Sequence, residues 1–109
     1  MSDATTGNEE RSTIAEIDKL VHEPARLSIM TQLYVIESAD FTFVMNQTGL
    51  TRGNLSSHMS KLEEAGYIDV EKKFVAKKPL TLMKLTDQGR KAFKHYVNSM
   101  KQIIDDMPE

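Results

Sequence analysis

The sequence predicts an α+β domain, mostly helical, with a small two- to three-stranded sheet in its second half and a pairing helix at each end. Three patterns point there. Apolar residues recur at helical spacing through most of the chain. One alternating stretch, a proline-containing turn and a second apolar run make a hairpin. The last twenty or so residues carry an apolar stripe longer than one small domain needs. At 109 residues the chain is a single domain with accessory helices, long enough to bury a core.

Residues 1–11, small, polar and acidic, are expected to form a disordered tail. Ser12 caps an accessory helix over 12–22, with Ile14, Ile17, Leu20 and Val21 in one stripe. Pro24 suits the first turn of a second helix, running to about Glu37, with Leu27, Met30, Leu33 and Tyr34 on its inner face. The stretch Asp40–Phe43 is too short to be more than a strand stub. Thr42 then caps a short helix that Gly49 ends in a left-handed conformation. Thr51 caps the next helix, which turns Leu55, Met59 and Leu62 inward and stops at Gly66.

Tyr67 to Val75 alternates Ile68, Val70 and Phe74 against Asp69, Glu71 and Lys73, the pattern of a half-buried strand. Ala76 to Pro79 turns, with Pro79 fixing the turn, and Leu80 to Leu85 returns. Thr86 caps a last helix reaching about Asp106, roughly 30 Å at about 1.5 Å per residue. The domain proper spans 23–85, and 86–109 is the second pairing helix.

The net charge of −2 is unevenly spread: residues 51–91 hold nine Lys/Arg against five Asp/Glu. A basic segment on an acidic carrier is a local footprint for a polyanion. With no cysteine, disulfides, thiolate metal sites and a cysteine nucleophile are excluded. No apolar run is long enough for a membrane span and the start has no signal-like segment, so the expected compartment is the cytoplasm.

Two short helices joined by Gly49-Leu50-Thr51 have helix-turn-helix spacing, and the basic hairpin behind them completes the order of a winged helix-turn-helix. The stretches "LTRGNLSSHMSKLEEAGYI" and "LTDQGRKAF", with the lysine-rich hairpin between them, resemble the MarR-type and related small winged-helix transcriptional regulators over about Pro24 to Phe93. The resemblance implies a DNA partner and control of transcription.

The residues agree with that implication. The outward side of residues 52–61 carries Arg52, Asn54, Ser57, His58 and Lys61. Arginine pairs with guanine and asparagine with adenine through two hydrogen bonds each, and serine and histidine add short contacts. Thr51 and the free N–H groups behind it suit a phosphate. Gly53, costly within a helix, is clearance for a close backbone. Lys72, Lys73, Lys77 and Lys78 cluster near the hairpin tip, where they meet the flanking backbone or minor groove.

Phe93, Tyr96, Val97, Met100, Ile103, Ile104 and Met107 fall at alternating three- and four-residue steps, a coiled-coil-like seam. The expectation is a homodimer through this seam, joined by Ile14, Ile17 and Leu20. It would space two reading helices about one DNA turn apart and select a pseudo-palindromic operator. The alternative is that the helix folds back over its own core.

No catalytic motif is present, so an enzyme is not expected. A metal site through His22, Glu23 or His95, in the manner of the related ArsR-type regulators, lacks cysteines and a close His pair; no metal or cofactor is expected. Met30, Tyr34, Phe41 and Tyr96 read as core or as the lining of a small-molecule effector pocket that would suit the resemblance. The remaining alternative is a winged helix used for protein–protein contact. Such a face should expose apolar anchors, and residues 52–61 offer none.

Overall fold

The computed structural model describes residues 17–108. The expected tail and residues 12–16 of the accessory helix, including Ile14, lie outside the described residues. Over 17–22 the chain makes turns rather than the expected helix. The cause is local: the Asp18 carboxylate accepts from the N–H groups of Leu20 and Val21 at 2.9 and 3.3 Å, which competes with helical bonding. Ile17 and Val21 are nonetheless buried in the core.

Helix α1 (Pro24–Val35) starts on Glu23, whose carboxylate accepts from the Arg26 N–H at 2.8 Å. It ends two residues short of the expected Glu37, because Ile36 turns extended and leads into strand β1 (Ala39–Asp40). Helix α2 (Phe41–Thr48) is capped by Asp40, not Thr42: its Oδ1 accepts from the Phe43 N–H at 2.8 Å. Asp outranks Thr as a cap. Gly49 closes α2 at φ 74°, as the spacing predicts.

Helix α3 (Arg52–Glu64) follows at once, its Thr51 hydroxyl accepting from Asn54 N–H at 3.2 Å. Leu55, Met59 and Leu62 are its buried residues. Together with Ile29, Met30 and Leu33 of α1 and Val44 of α2 they form the centre of the core.

Strands β2 (Ile68–Val75) and β3 (Lys78–Leu85) form the hairpin, and β1 adds to the far side of β3, giving an antiparallel sheet in the order β1-β3-β2. The turn is only Ala76-Lys77, both at positive φ (53° and 66°), the pattern of a type I′ turn made without glycine or asparagine. Pro79 therefore lies within β3, opposite Phe74, and not in the turn.

Helix α4 (Asp87–Asp105) is anchored by a reciprocal lock. The Thr86 hydroxyl accepts from Gly89 N–H at 2.9 Å and donates to Gly66 O at 2.6 Å, while Thr86 N–H donates to Tyr67 O. Gly89 is buried directly against that Tyr67 carbonyl, where no side chain fits. The Leu-Thr-x-x-Gly motif is thus the seat of α4 on the helix end at Gly66-Tyr67. The Tyr67 hydroxyl in turn donates to Asp18 at 2.6 Å. Burial and this carboxylate push its pKa up to about 12.

Candidate nucleic-acid interface

Helix α3 buries one side and leaves the other bare. Arg52, Gly53, Asn54, Ser56, Ser57, Ser60 and Lys61 are all exposed, and no apolar side chain is exposed among residues 52–61. Open space surrounds the Gly53 Cα. Thr51, at the cap, is exposed as well.

The Arg52 guanidinium lies 5.4 Å above the Phe41 ring. A planar cation over an aromatic face keeps its edge donors free while its orientation is restricted. Phe41 sits at the start of α2 because Asp40 caps the helix there, so the cap also positions the arginine's platform.

His58 is different from its neighbours. It is tied to the start of α1: Arg26 Nη1 donates to its Nδ1 at 3.1 Å, and Arg26 Nε donates to Leu20 O at 2.6 Å. That bond leaves Nδ1 without a proton, so only Nε2–H remains as a donor. The Glu23 carboxylate lies 3.9 Å from the same Nδ1, behind the shorter Arg26 contact. Burial alone would raise the Glu23 pKa; the Arg26 N–H, with the Arg26 charge and the Ala25 N–H, outweighs it and holds the carboxyl below its usual range. Sequence spacing puts His58 on the outward side, yet its ring bridges two helices with its side chain 19% exposed.

The hairpin wing stands beside α3 across a cleft of about 290 Å³, lined by Phe41, Arg52, Ser56, Met59, Lys72 and Pro79 among others. Side chains alternate along a strand. Lys72 therefore shares the cleft side with Phe74, whereas Lys73 points to the opposite side. Lys78, paired with Val75, shares the face of Lys73, and Lys77 occupies the turn. All four lysines are exposed, but they are not one patch. Phe74, expected to be half-buried, is 74% exposed because the strands outrun the helical body.

The reverse side of the sheet is mixed in charge. Glu37, Asp69, Glu71 and Asp87 line a second cleft of about 420 Å³ with Lys84 and Arg90.

The expected pairing residues among those described divide into three groups. Ile17, Phe93 and Tyr96 are buried in the chain's own core, a correction to their placement at an interface. Phe93 stacks on Tyr34 at 4.9 Å, and the Tyr96 hydroxyl hydrogen-bonds His22 Nδ1 at 2.7 Å. The first half of α4 therefore folds back on the body. Leu20, Val97, Met100 and Ile103 are partly buried against the core, while Ile104 and Met107 are 58% and 62% exposed. Met30 and Tyr96 are core, and of the four residues weighed for an effector pocket only Phe41 lines either cleft.

A helix-turn-helix with an adjoining wing defines the class of protein, and comparison with known families agrees. Residues 25–104 match the winged helix DNA-binding domain, and the chain belongs to that family. It is 34% identical over 85 residues to the uncharacterized protein MJ0432 of Methanocaldococcus jannaschii, spanning 78% of this chain and 92% of that one. A transcriptional regulator homologue from Pyrococcus horikoshii superposes with a TM-score of 0.76 at 34% identity, over 83% of this chain and 91% of the other. The MarR family transcriptional regulator SPO1453 from Silicibacter pomeroyi shares the fold, with a TM-score of 0.57 at 14% identity, over 72% of this chain and 54% of that one. The family is one of DNA-binding domains, not of enzymes. Among the described residues, no helix is long and apolar enough to cross a membrane.

Proposed function

We propose that this protein is a homodimeric, sequence-specific transcriptional regulator that lays α3 in the major groove of duplex DNA. The observation that carries the reading is the bare polar side of α3: seven consecutive or near-consecutive small, polar or cationic residues stay uncovered by the rest of the chain. Arg52, oriented on Phe41, and Asn54 are the residues suited to guanine and adenine edges. Ser57 and Lys61 lie further along the same side, and Thr51 with the first-turn N–H groups suits a phosphate. His58 contributes at most its Nε2–H. Lys72 and Lys77 reach the flanking backbone or minor groove, with Lys73 and Lys78 adding charge from the wing's other face.

The apolar residues left exposed at the end of α4 support a two-fold pairing there. Ile104 and Met107 are the contact residues, with Val97, Met100 and Ile103 at the edge of the seam. A two-fold axis there would set the reading helices about 34–36 Å apart.

Selection of bound duplexes from a random pool tests the proposal. Enrichment of a two-fold sequence, with affinity falling steeply as salt rises, is the expected result. Failure to enrich any sequence removes the regulator reading. Sedimentation that finds monomer alone at micromolar concentration removes the dimer.

A further inference from the structure

Phe74 is the most exposed phenylalanine or tyrosine among the described residues, at 74%. It stands two residues beyond Lys72 on the wing face that borders the cleft with Arg52 and Ser56. Directly across the hairpin is Pro79. This pair lies one step inside Val75 and Lys78, the hydrogen-bonded pair that closes a two-residue turn, so it is a non-hydrogen-bonded pair whose side chains approach most closely. Strand β1 reaches only Leu82 and Met83. The nitrogen of Pro79 accordingly faces an open edge and forfeits no ladder bond. The result is a cross-strand apolar backing for a ring that remains mostly bare.

The surroundings of the ring indicate what it meets. Lys72 precedes it, Lys77 crowns the turn, and Arg52 lies across the cleft. An apolar ring framed by cations complements a polyanion with an apolar interior, and a DNA groove is such a surface. Phenylalanine is also among the residues that enter the minor groove as wedges between base steps.

We propose that Phe74, backed by Pro79, is an apolar wedge that enters the minor groove beside the site read by α3 and partly unstacks one flanking base step. The proposal rests on the DNA-binding reading above and adds a contact that is steric and apolar rather than ionic. It carries its own sequence preference. Pyrimidine–purine steps, above all TA, unstack most readily and are favoured under the wing.

The test uses the full chain and a duplex recovered by the random-pool selection, with 2-aminopurine placed in turn at each flanking position. The parent raises fluorescence at one flanking step. Phe74→Ala binds on the order of 10-fold more weakly, loses that signal and keeps the parent's salt slope. Lys77→Ala keeps the signal and lowers the slope by about one. Phe74→Leu retains most of the affinity, and both Phe74 variants melt with the parent because the ring is exposed. If the parent binds the duplex and Phe74→Ala matches it in affinity and fluorescence, the wedge is wrong and the regulator reading stands. If Phe74→Ala alters sedimentation of the free protein and leaves DNA binding intact, the ring belongs to a protein contact and the wedge is likewise overturned. If no duplex is enriched by the parent, both readings fall together.

Discussion

The bare Cα of Gly89 rests on the carbonyl oxygen of Tyr67, and that contact seats the longest helix on the rest of the molecule. A methyl group at position 89 would be driven into main chain, which cannot rotate aside. The same carbonyl accepts from Thr86 N–H, so displacing it also disturbs the cap of α4. Gly89→Ala should therefore destabilise the fold by about 3 kcal/mol, as overpacking does. Thermal unfolding followed by circular dichroism should show a midpoint lower by roughly 10 °C or more. An unchanged midpoint would mean that α4 is not held at this point.

Gly53 gives the opposite result with the same substitution. Nothing lies near its Cα, and it stands in the first turn of an exposed helix face. Gly53→Ala should raise stability by up to about 1 kcal/mol through helix propensity. If a DNA backbone approaches closely there, the variant should bind the selected duplex less well. A protein that melts higher and binds equally well would show that the glycine is not clearance.

Arg52 and Lys77 should fail in different ways. Loss of the arginine in Arg52→Ala should cost about 1–3 kcal/mol and relax preference at one base position. Lys77→Ala should weaken all sequences alike. Titrations of selected and scrambled duplexes separate the two; identical behaviour of both variants would remove Arg52 as a reader.

The Tyr67 phenol gives a pH signature. Its pKa is raised from 10.0 to about 12 by burial and by the Asp18 carboxylate it bonds. A raised folded pKa means that the unfolded chain loses its proton first. The stabilisation is present in full below pH 10 and is lost as the pH climbs from 10 through 12. Denaturant midpoints of the parent and Tyr67→Phe should converge over that interval, and phenolate absorbance should show one tyrosine titrating late. Convergence already below pH 9 would contradict the bond to Asp18.

Much of the fold is legible because its boundaries are chemically marked. Thr51, Thr86 and Gly49 announce ends that a reader of the chain finds without coordinates, and the structure has each in its expected role. The start of α2 is not marked in this way: Thr42 is an acceptable cap by residue type, and the pairing of Ala39–Asp40 with β3 brings the cap two residues earlier, to Asp40. The bare side of α3 follows from three inward residues. The engagement of His58 does not, since its partner Arg26 is 32 positions away. Phe74 escapes notice for a related reason: alternation gives the face of a strand but not how far the strand extends past the body. The same limit applies to Phe93 and Tyr96, whose periodicity is identical to that of the exposed Ile104 and Met107.

The left-handed backbone of Ala76 and Lys77 has a kinetic consequence for the wing. Side chains in that region cost on the order of 1 kcal/mol each, a burden that glycine or asparagine would largely avoid. The hairpin is therefore expected to close from its Ile68–Leu85 base, where both residues are buried, and to open first at its tip. Amide hydrogens near Val75 and Lys78 should trade with solvent deuterium well before those near Ile68 and Leu85. Under the proposed reading, a finger that yields at its end while its root stays closed would conform to a duplex without disturbing α3.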